Sequence, residues 1–175
     1  WVNAMRFGVV GLGEEERKKC APGGVDEFVG RGEHLLSGYW DNPEATAEAF
    51  KGGWFHTGDL ARRDAEGFFY IVDRMKDMII TAGENVYSRE VEEILYAHPA
   101  VSEAAVIGLP DAKWGERVAA VITLRADATA TDAEIVRFCR EHLAGFKTQR
   151  EVLFVDEIPK NVSGKVLKRE LRERF

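Results

Sequence analysis

The sequence is poor in cysteine and has no long apolar run. Its two cysteines, Cys20 and Cys139, form neither a Cys-x-x-Cys pair nor a cluster with histidine at metal-ligand spacing, so we predict no metal site. No apolar run approaches the roughly 18 residues of a membrane-spanning helix. The segment beginning at Trp1 lacks the regions of a secretory signal, and a start at Trp indicates that the natural N-terminus is absent. These features favour a cytoplasmic protein with reduced thiols.

Net positive charge is lacking as well. The formal net charge is −6, which argues against nonspecific nucleic-acid binding as the main activity. Residues 160–175 are the exception, because six basic residues there face two acidic ones and leave a local charge of +4. By charge alone this segment is typical of a solvated basic helix. The basic residues are Lys160, Lys165, Lys168, Arg169, Arg172 and Arg174.

What the sequence does contain is ordinary globular material, with 45% hydrophobic and 31% charged residues in a chain of 175. That length suits one domain, or a small domain together with part of another. The pattern changes after residue 75. We therefore predict that residues 1–75 are the β-rich end of a preceding domain. Residues 76–175 are predicted to form an α+β domain with a short sheet flanked by helices.

Local signals predict the individual elements. Asn42 followed by Pro43 indicates a capped helix. Thr131-x-x-Glu134 is a capping box for a second helix, and Cys139 lies on the apolar face of that helix. The other predicted elements are a turn at Pro22-Gly23-Gly24, strands near 25–30, 68–72 (buried), 78–81, 104–109, 118–125 and 151–155, a helix from about Ser88, and a last helix carrying Leu167 and Leu171.

Two clusters of residues in the first half carry candidate chemistry. In Gly53-Trp-Phe-His-Thr-Gly-Asp-Leu60 the carboxylate of Asp59 could accept from a pair of ligand hydroxyls. Alone, Thr-Gly-Asp is more typical of an Asx-type turn. Arg74 directly follows a predicted strand, where it could fork onto a ribose or a phosphate, or could pair with Asp73.

A third cluster lies near the C-terminus, in Pro159-Lys-Asn-Val-Ser-Gly-Lys165. A lysine after Ser-Gly on a flexible loop could bring a compact positive charge to phosphate oxygens. Taken alone, Lys165 is typical of an ordinary surface lysine.

In this order and spacing the three clusters resemble the adenylate-forming superfamily of acyl-CoA synthetases, luciferases and peptide-synthetase adenylation domains. The resemblance covers roughly residues 31–175 and begins with Gly38-Tyr-Trp-Asp-Asn-Pro-Glu-Ala-Thr46. It implies that Asp59 holds the ribose hydroxyls of ATP and that Arg74 also binds the nucleotide. It further implies that Lys76 is an interdomain hinge and that Lys165 bridges the carboxylate and the α-phosphate during adenylation.

Within the superfamily, Gly83-Glu-Asn85 favours acyl-CoA synthetases. The resemblance places Gly83 beside the pantetheine of coenzyme A, where the lack of a side chain lets the backbone approach; a simple tight turn is the alternative. Trp114 and Phe146 fall where some of these ligases contact coenzyme A, with domain packing as the alternative for both. The chain departs from the family pattern at Ala82, Ser88 and Gln149, where Gly, Pro and Pro are common.

The resemblance implies a two-step ligase. A carboxylate, such as that of a fatty acid, attacks the α-phosphate of ATP, and coenzyme A then displaces AMP from the acyl-adenylate. Mg²⁺ would accompany ATP, although no ligand for it is evident. The phosphate loop and acyl pocket of the family belong to an N-terminal domain that this chain does not contain, so we expect residues 1–175 to be inactive alone. The alternatives are a non-catalytic or in-trans C-terminal module, or an adenylating enzyme that hands the acyl group to a carrier protein. The sequence predicts neither the acyl substrate nor the oligomeric state.

Overall fold

The structure is a computed structural model that describes the backbone of Arg6–Val10 and residues 23–175. The predictions that fall on Trp1, Cys20 and Pro22 lie outside the described residues. By its contacts the chain divides into two compact units, one ending at Lys76 and the other comprising Asp77–Phe175.

The first unit contains, among the described residues, four antiparallel strands and one short helix. These are β1 (Arg6–Val10), β2 (Val25–Arg31), α1 (Pro43–Ala49), β3 (Phe55–Arg63) and β4 (Phe69–Arg74). The strands lie in the order β1-β2-β3-β4, so each pairs with its neighbours in sequence. The predicted cap of α1 is confirmed, because the Asn42 side chain accepts from Ala45 N at 3.0 Å and Pro43 occupies the first turn.

One local alternative and one local prediction for this unit differ from the structure. Thr-Gly-Asp, for which an Asx-type turn was the alternative, lies inside β3, a strand whose sequence pattern is obscured by Gly58 at φ +70° and by a bulge at Leu60/Ala61. The predicted buried strand over 68–72 exists as β4, but it is not buried. Phe68, Tyr70 and Ile71 are 66%, 45% and 46% exposed. Aromatic and β-branched content signals a strand without saying which of its faces is covered.

The second unit is a mixed sheet with helices on both faces, which confirms the predicted α+β class. Its elements are β5 (Ile79–Thr81), β6 (Glu84–Val86), α2 (Ser88–Ala97), β7 (Val101–Asp111), β8 (Gly115–Leu124), α3 (Asp132–His142), β9 (Glu151–Phe154) and α4 (Lys168–Arg174). The strand order is β6-β5-β8-β7, and β9 runs parallel to β8.

The long hairpin of β7 and β8 forms the centre of this unit. Each strand is buried along six consecutive residues, as expected for strands covered on both faces. One face packs against α2 and α3, where Leu95, Ile135 and Cys139 are fully buried. The opposite face packs against Ile158 and against Leu171 of α4. Core packing of Cys139 and the capping box of α3 are both confirmed.

The basic C-terminal segment is not the solvated helix that its charge suggests. Lys160 pairs with Glu103, Lys168 lies 2.7 Å from Glu92, and Arg172 lies 3.0 Å from Asp77. The acidic partners come from distant parts of the sequence, so local charge counting could not reveal them. No helix in the described residues is long and apolar enough to cross a membrane.

Candidate functional site

Asp59 and Arg74, the two predicted nucleotide ligands, lie side by side on neighbouring strands. They are direct partners in the β3–β4 register, and Arg74 Nε is 3.5 Å from Asp59 Oδ1. The side chains are 33% and 54% exposed. A carboxylate offers only acceptors and a guanidinium only donors, so the pair can receive hydroxyls on one side and an anionic group on the other. Asp73 instead accepts from the backbone N–H of Arg74 at 2.8 Å.

The Thr57–Asp59 segment is held by β2. Thr57 Oγ1 donates to Phe28 O at 2.6 Å and accepts from Asp59 N at 3.0 Å. Glu27 is only 6% exposed, and one of its carboxylate oxygens accepts from Gly58 N at 3.2 Å. These bonds fix the backbone on both sides of Gly58, whose positive φ suits glycine. The carboxylate of Asp59 is therefore presented from a braced strand.

His56 completes this brace. Its Nδ1 lies 2.6 Å from the second carboxylate oxygen of Glu27, and its Nε2 lies 3.1 Å from Lys51 O. Both partners are acceptors. The two ring nitrogens thus connect β3 to the Glu27 carboxylate of β2 and to the backbone at Lys51.

Lys76, the predicted hinge, lies in a single 3-10 turn, Met75–Asp77, directly after β4. The side chain is exposed, and the division between the two compact units falls immediately after it. The next residue, Asp77, is tied to α4 by Arg172. A short turn of this kind concentrates any backbone rotation in a few residues.

Lys165 ends a tight loop that projects from the second unit. Asn161 N donates to Lys165 O and Gly164 N donates to Asn161 O, both at 2.9 Å, and Lys160 and Val166 form a bridge at the base. Gly164 has φ +80°. The loop is thus closed by its own backbone, in contrast to the flexible loop expected from Ser-Gly.

The ammonium of Lys165 has no partner in the described residues. Lys165 is exposed, and no hydrogen bond or ion pair of its side chain is present there. The other basic residues of the segment behave differently. Lys160, Lys168, Arg169 and Arg172 are in ion pairs, and the Arg174 guanidinium lies 5.1 Å from the Phe175 ring. Lys165 is therefore the cation in this segment that is available to a ligand.

Gly83 and Trp114 are brought close together by the sheet. Thr81 is the register partner of Gly115, and Ala82 N donates to Trp114 O at 2.8 Å. Gly83 has φ +82°, and a Cβ there would meet nothing within 4 Å. Gly83 therefore lies in a tight turn, and the space beside its Cα is open, so the two alternatives for this residue do not exclude each other.

Trp114 forms what we call the Trp114 patch with Lys113 and Arg150. The Lys113 ammonium and the Arg150 guanidinium each lie 4.4 Å from the indole centroid. Asp111 orders the turn, because its Oδ1 accepts from Lys113 N at 2.9 Å and Trp114 N at 3.0 Å. These hydrogen bonds, first that of Lys113 and then that of Trp114, lower the pKa of Asp111. Both cations therefore lie over the indole ring, which brings two positive charges together at this turn.

Phe146 lies on the turn after α3 and is 38% exposed. The Lys147 ammonium is 5.8 Å from its ring but bonds both Glu90 oxygens at 2.8 Å. Among the described residues no ring contact joins Phe146 to Trp114. Arg150, which follows Phe146 by four positions in the sequence, contacts the Trp114 ring. Within residues 23–175 no group of three His, Cys, Asp or Glu side chains is placed to hold a metal ion.

Sequence reasoning missed Glu27, Asn161 and Arg150. Glu27 and Arg150 act on residues far away in the chain, and no local pattern pointed to them. Asn161 could have been found, because Asn side chains in turns commonly accept from the backbone two residues on, as Asn161 does from Ser163 N.

Known proteins similar in sequence to this chain include members of one enzyme family. Residues 90–165 match the family model of the AMP-binding enzyme C-terminal domain. Feruloyl-CoA synthase from Amycolatopsis sp is 48% identical over 155 residues, which are 88% of this chain and 31% of that protein. The chain thus spans about a third of the length of the curated relatives it matches.

Solved structures agree in fold. The ATP-bound crystal structure of MatB from Rhodopseudomonas palustris has a TM-score of 0.89 and 38% identity, covering 97% of this chain and 34% of that one. The amide bond synthetase McbA from Marinactinospora thermotolerans has a TM-score of 0.86 and 36% identity, covering 98% and 35%. Together with the matched domain, these likenesses show that the chain belongs to the adenylate-forming superfamily and is similar to the C-terminal portion of its members.

Proposed function

We propose that the chain is the C-terminal part of an ATP-dependent acyl-CoA ligase. The ligase activates a carboxylic acid as an acyl-adenylate and then transfers the acyl group to coenzyme A. In this proposal residues 1–75 end the large nucleotide-binding domain and residues 76–175 form the mobile C-terminal domain. The observation that carries the proposal is the availability of Lys165, which has no partner in the described structure while four other basic residues of its segment are in ion pairs.

The first half-reaction uses charge from both units. Asp59 accepts from the ribose hydroxyls, and Arg74 donates to the nucleotide from the neighbouring strand. When the carboxylate attacks the α-phosphate, negative charge gathers on the phosphoryl oxygens and on the leaving pyrophosphate. A preorganised ammonium at Lys165 stabilises that charge. Magnesium would enter with ATP, but the described residues do not fit a metal site, so no step is assigned to it here.

The second half-reaction uses the other side of the C-terminal domain. The thiol of coenzyme A attacks the acyl carbonyl, a thioester bond forms, and AMP leaves. The turn at Gly83 would give the pantetheine a close approach, and the two cations of the Trp114 patch would bind the phosphates of coenzyme A. Phe146 stays a predicted coenzyme A contact on the turn after α3. Rotation about Lys76 would exchange the Lys165 loop for this surface between the steps.

The identity of the acceptor is the finer part of the proposal. McbA is named an amide bond synthetase, so likeness to the superfamily does not by itself select coenzyme A. The Trp114 patch favours coenzyme A over a carrier protein, whose pantetheine arm lacks the nucleotide end. The available Lys165 and the Asp59–Arg74 pair disfavour a non-catalytic module, which would need neither. A fatty-acid substrate and a cytoplasmic location stay predictions.

The test uses the complete protein that carries this chain and, separately, residues 1–175. A panel of aryl and fatty carboxylic acids is offered with ATP, and exchange of labelled pyrophosphate is measured before coenzyme A is added. We expect exchange and then thioester formation with the complete protein, and neither with residues 1–175. Exchange without any thioester would exclude the ligase assignment, and no exchange with any acid would favour the non-catalytic module.

The hinge has its own test. Lys76→Pro fixes φ near −65°. The variant should keep one half-reaction and lose the other, and equal loss of both would contradict a hinge at Lys76.

A further inference from the structure

We propose that Asn161 is the positioning residue for Lys165. Its side-chain oxygen fixes the shape of the loop so that the ammonium is presented in one orientation before substrate arrives. This inference rests on the proposed function, because it takes Lys165 as the cation of the adenylation step.

The Asn161 Oδ1 atom is the centre of the loop. It accepts three hydrogen bonds, from Ser163 N at 3.0 Å, from Ser163 Oγ at 2.8 Å and from Lys165 N at 2.9 Å. Two of the donors are backbone groups, and one of them is the N–H of Lys165 itself. The backbone from which the lysine side chain departs is therefore oriented directly by Asn161.

The loop has little else to hold it between its ends. Residues 161–165 are all exposed, and Val162 at the tip has no burial. The base is fixed by the Lys160–Val166 bridge, which consists of the bonds from Leu167 N to Pro159 O at 2.8 Å and from Asn161 N to Lys165 O at 2.9 Å. Above the base only the bond from Gly164 N to Asn161 O, at 2.9 Å, remains. An exposed turn closed by so few backbone bonds opens readily in water, so three further bonds to one oxygen change its order substantially.

Order at this point matters for catalysis rather than for folding. A lysine side chain carries several rotatable bonds, and electrostatic stabilisation needs the charge in place when the transition state forms. Fixing the backbone at Lys165 removes one source of that disorder. Loss of Asn161 should therefore slow the step that uses Lys165 and leave the other step nearly unchanged.

The variants isolate the acceptor oxygen. Asn161→Ala removes it, whereas Asn161→Asp keeps an oxygen of the same reach. The amide nitrogen of Asn161 makes no hydrogen bond in the described residues. Replacing that nitrogen with the second oxygen of Asp therefore removes no hydrogen bond. Thr131→Ala is the control, because it removes a comparable side-chain acceptor, the cap that takes Glu134 N at 3.3 Å, from α3 of the same unit.

Two measurements are made on each variant. In the 175-residue chain, amide hydrogen exchange is followed at Ser163 and Lys165. In the complete protein, single-turnover rates are measured for adenylate formation and for thioester formation from supplied acyl-adenylate. Lys165→Ala is included as the reference for loss of the ammonium.

Asn161→Ala should speed exchange at Ser163 and Lys165 and slow adenylation by about tenfold to a hundredfold, the scale of a misplacement near 1 Å. Thioester formation should change less than about threefold, because the proposed second step does not use the Lys165 ammonium. Asn161→Asp should restore most of both the protection and the rate. Thr131→Ala should alter neither exchange in the loop nor the ratio of the two half-reactions.

The contradicting outcomes are distinct. Normal adenylation by Asn161→Ala, while Lys165→Ala is impaired, overturns the positioning role and leaves the proposed function standing. If Asn161→Ala slows both half-reactions equally, or if Thr131→Ala slows adenylation as much, Asn161 contributes only to the general stability of the unit. Normal adenylation by Lys165→Ala overturns the proposed role of Lys165 and this inference with it.

Discussion

The two units hold their candidate reactive groups in different ways. The Thr57–Asp59 segment is braced by Glu27 and Phe28, which lie 29 to 31 positions away on another strand. The Lys165 loop is braced by Asn161, four positions away. Glu27 is almost fully buried, whereas the loop is fully exposed.

This difference has a physical consequence. A group braced by distant residues keeps its geometry only while the whole sheet is intact. A loop held by its own bonds depends less on the rest of the sheet, which suits the proposed movement of Lys165 into and out of a reaction site. We expect the largest effect from substitution of Glu27 and a smaller one from substitution of Asp59. The smallest effects are expected at polar groups of the second unit.

The largest effect on stability is expected at Glu27. Glu27→Ala leaves His56 Nδ1 and Gly58 N without their carboxylate, and it should lower the free energy of unfolding of the first unit by about 2–4 kcal/mol. Urea unfolding of the 175-residue chain, with hydrogen exchange at Gly58 to assign the transition, measures this. Glu27→Gln is the matched control, since it keeps an acceptor for Gly58. A loss below about 0.5 kcal/mol, the level of ordinary surface substitutions, would show that the brace is incidental.

A smaller effect is expected at the group that the brace supports. Asp59→Ala removes the acceptors for the ribose hydroxyls and leaves Arg74 without its partner, so nucleotide affinity should weaken by ~1–3 kcal/mol. Calorimetry with ATP and the complete protein measures it, with Asp64→Ala, at the turn before β4, as a control outside the pair. Unchanged affinity in a folded Asp59→Ala variant would remove Asp59 from the site.

The second unit contains buried polar side chains with poor hydrogen bonding. Gln149 is 2% exposed and has only the weakly hydrogen-bonding Cys139 thiol beside its amide, and Thr81, 1% exposed, has no partner for its hydroxyl in the described residues. Gln149→Leu and the isosteric Thr81→Val should each raise the free energy of unfolding by about 1–2 kcal/mol, because a poorly paired or unpaired buried group is removed. Thermal and urea unfolding check both, and a loss of stability would mean that buried water satisfies these groups.

The smallest effect is expected at the half-buried Asp111. Hydrogen bonds from Lys113 N and then Trp114 N lower its pKa, so its stabilising contribution is present above the ordinary carboxyl pKa. That contribution is lost as pH falls through the lowered value. Amide shifts of Lys113 and Trp114 followed by NMR should titrate together below the usual carboxyl range. A transition at or above that range, or an unchanged titration in Asp111→Asn, would contradict the turn geometry.

Local chemistry in the sequence predicted the parts of the fold that depend on a few neighbouring residues. The cap at Asn42, the capping box at Thr131 and the burial of Cys139 all follow from spacing within one or two helical turns. The strand at Thr-Gly-Asp was missed because Gly58 and a bulge break the alternation of a strand. The ion pairs of Lys168 and Arg172 were missed because tertiary contacts create them.

The residues of the candidate site likewise fall into those that local motifs predict and those that only tertiary contacts reveal. Asp59, Arg74 and Lys165 were found through motifs, and the register that sets Asp59 opposite Arg74 follows only from the fold. Glu27 and Arg150 act on partners 31 and 36 positions away and have no sequence signature of their own.

The central claim is that Lys165 serves adenylation and not the second step. Lys165→Ala in the complete protein should cut the single-turnover rate of acyl-adenylate formation by about 10²–10³-fold, the scale seen when one preorganised donor is lost. Thioester formation from supplied acyl-adenylate should be far less affected. Lys165→Arg should rescue only partly, because a planar fork does not replace a compact ammonium between two oxygens. If both rates fall equally, or neither falls, Lys165 does not serve adenylation alone and the proposed division between the two steps is wrong.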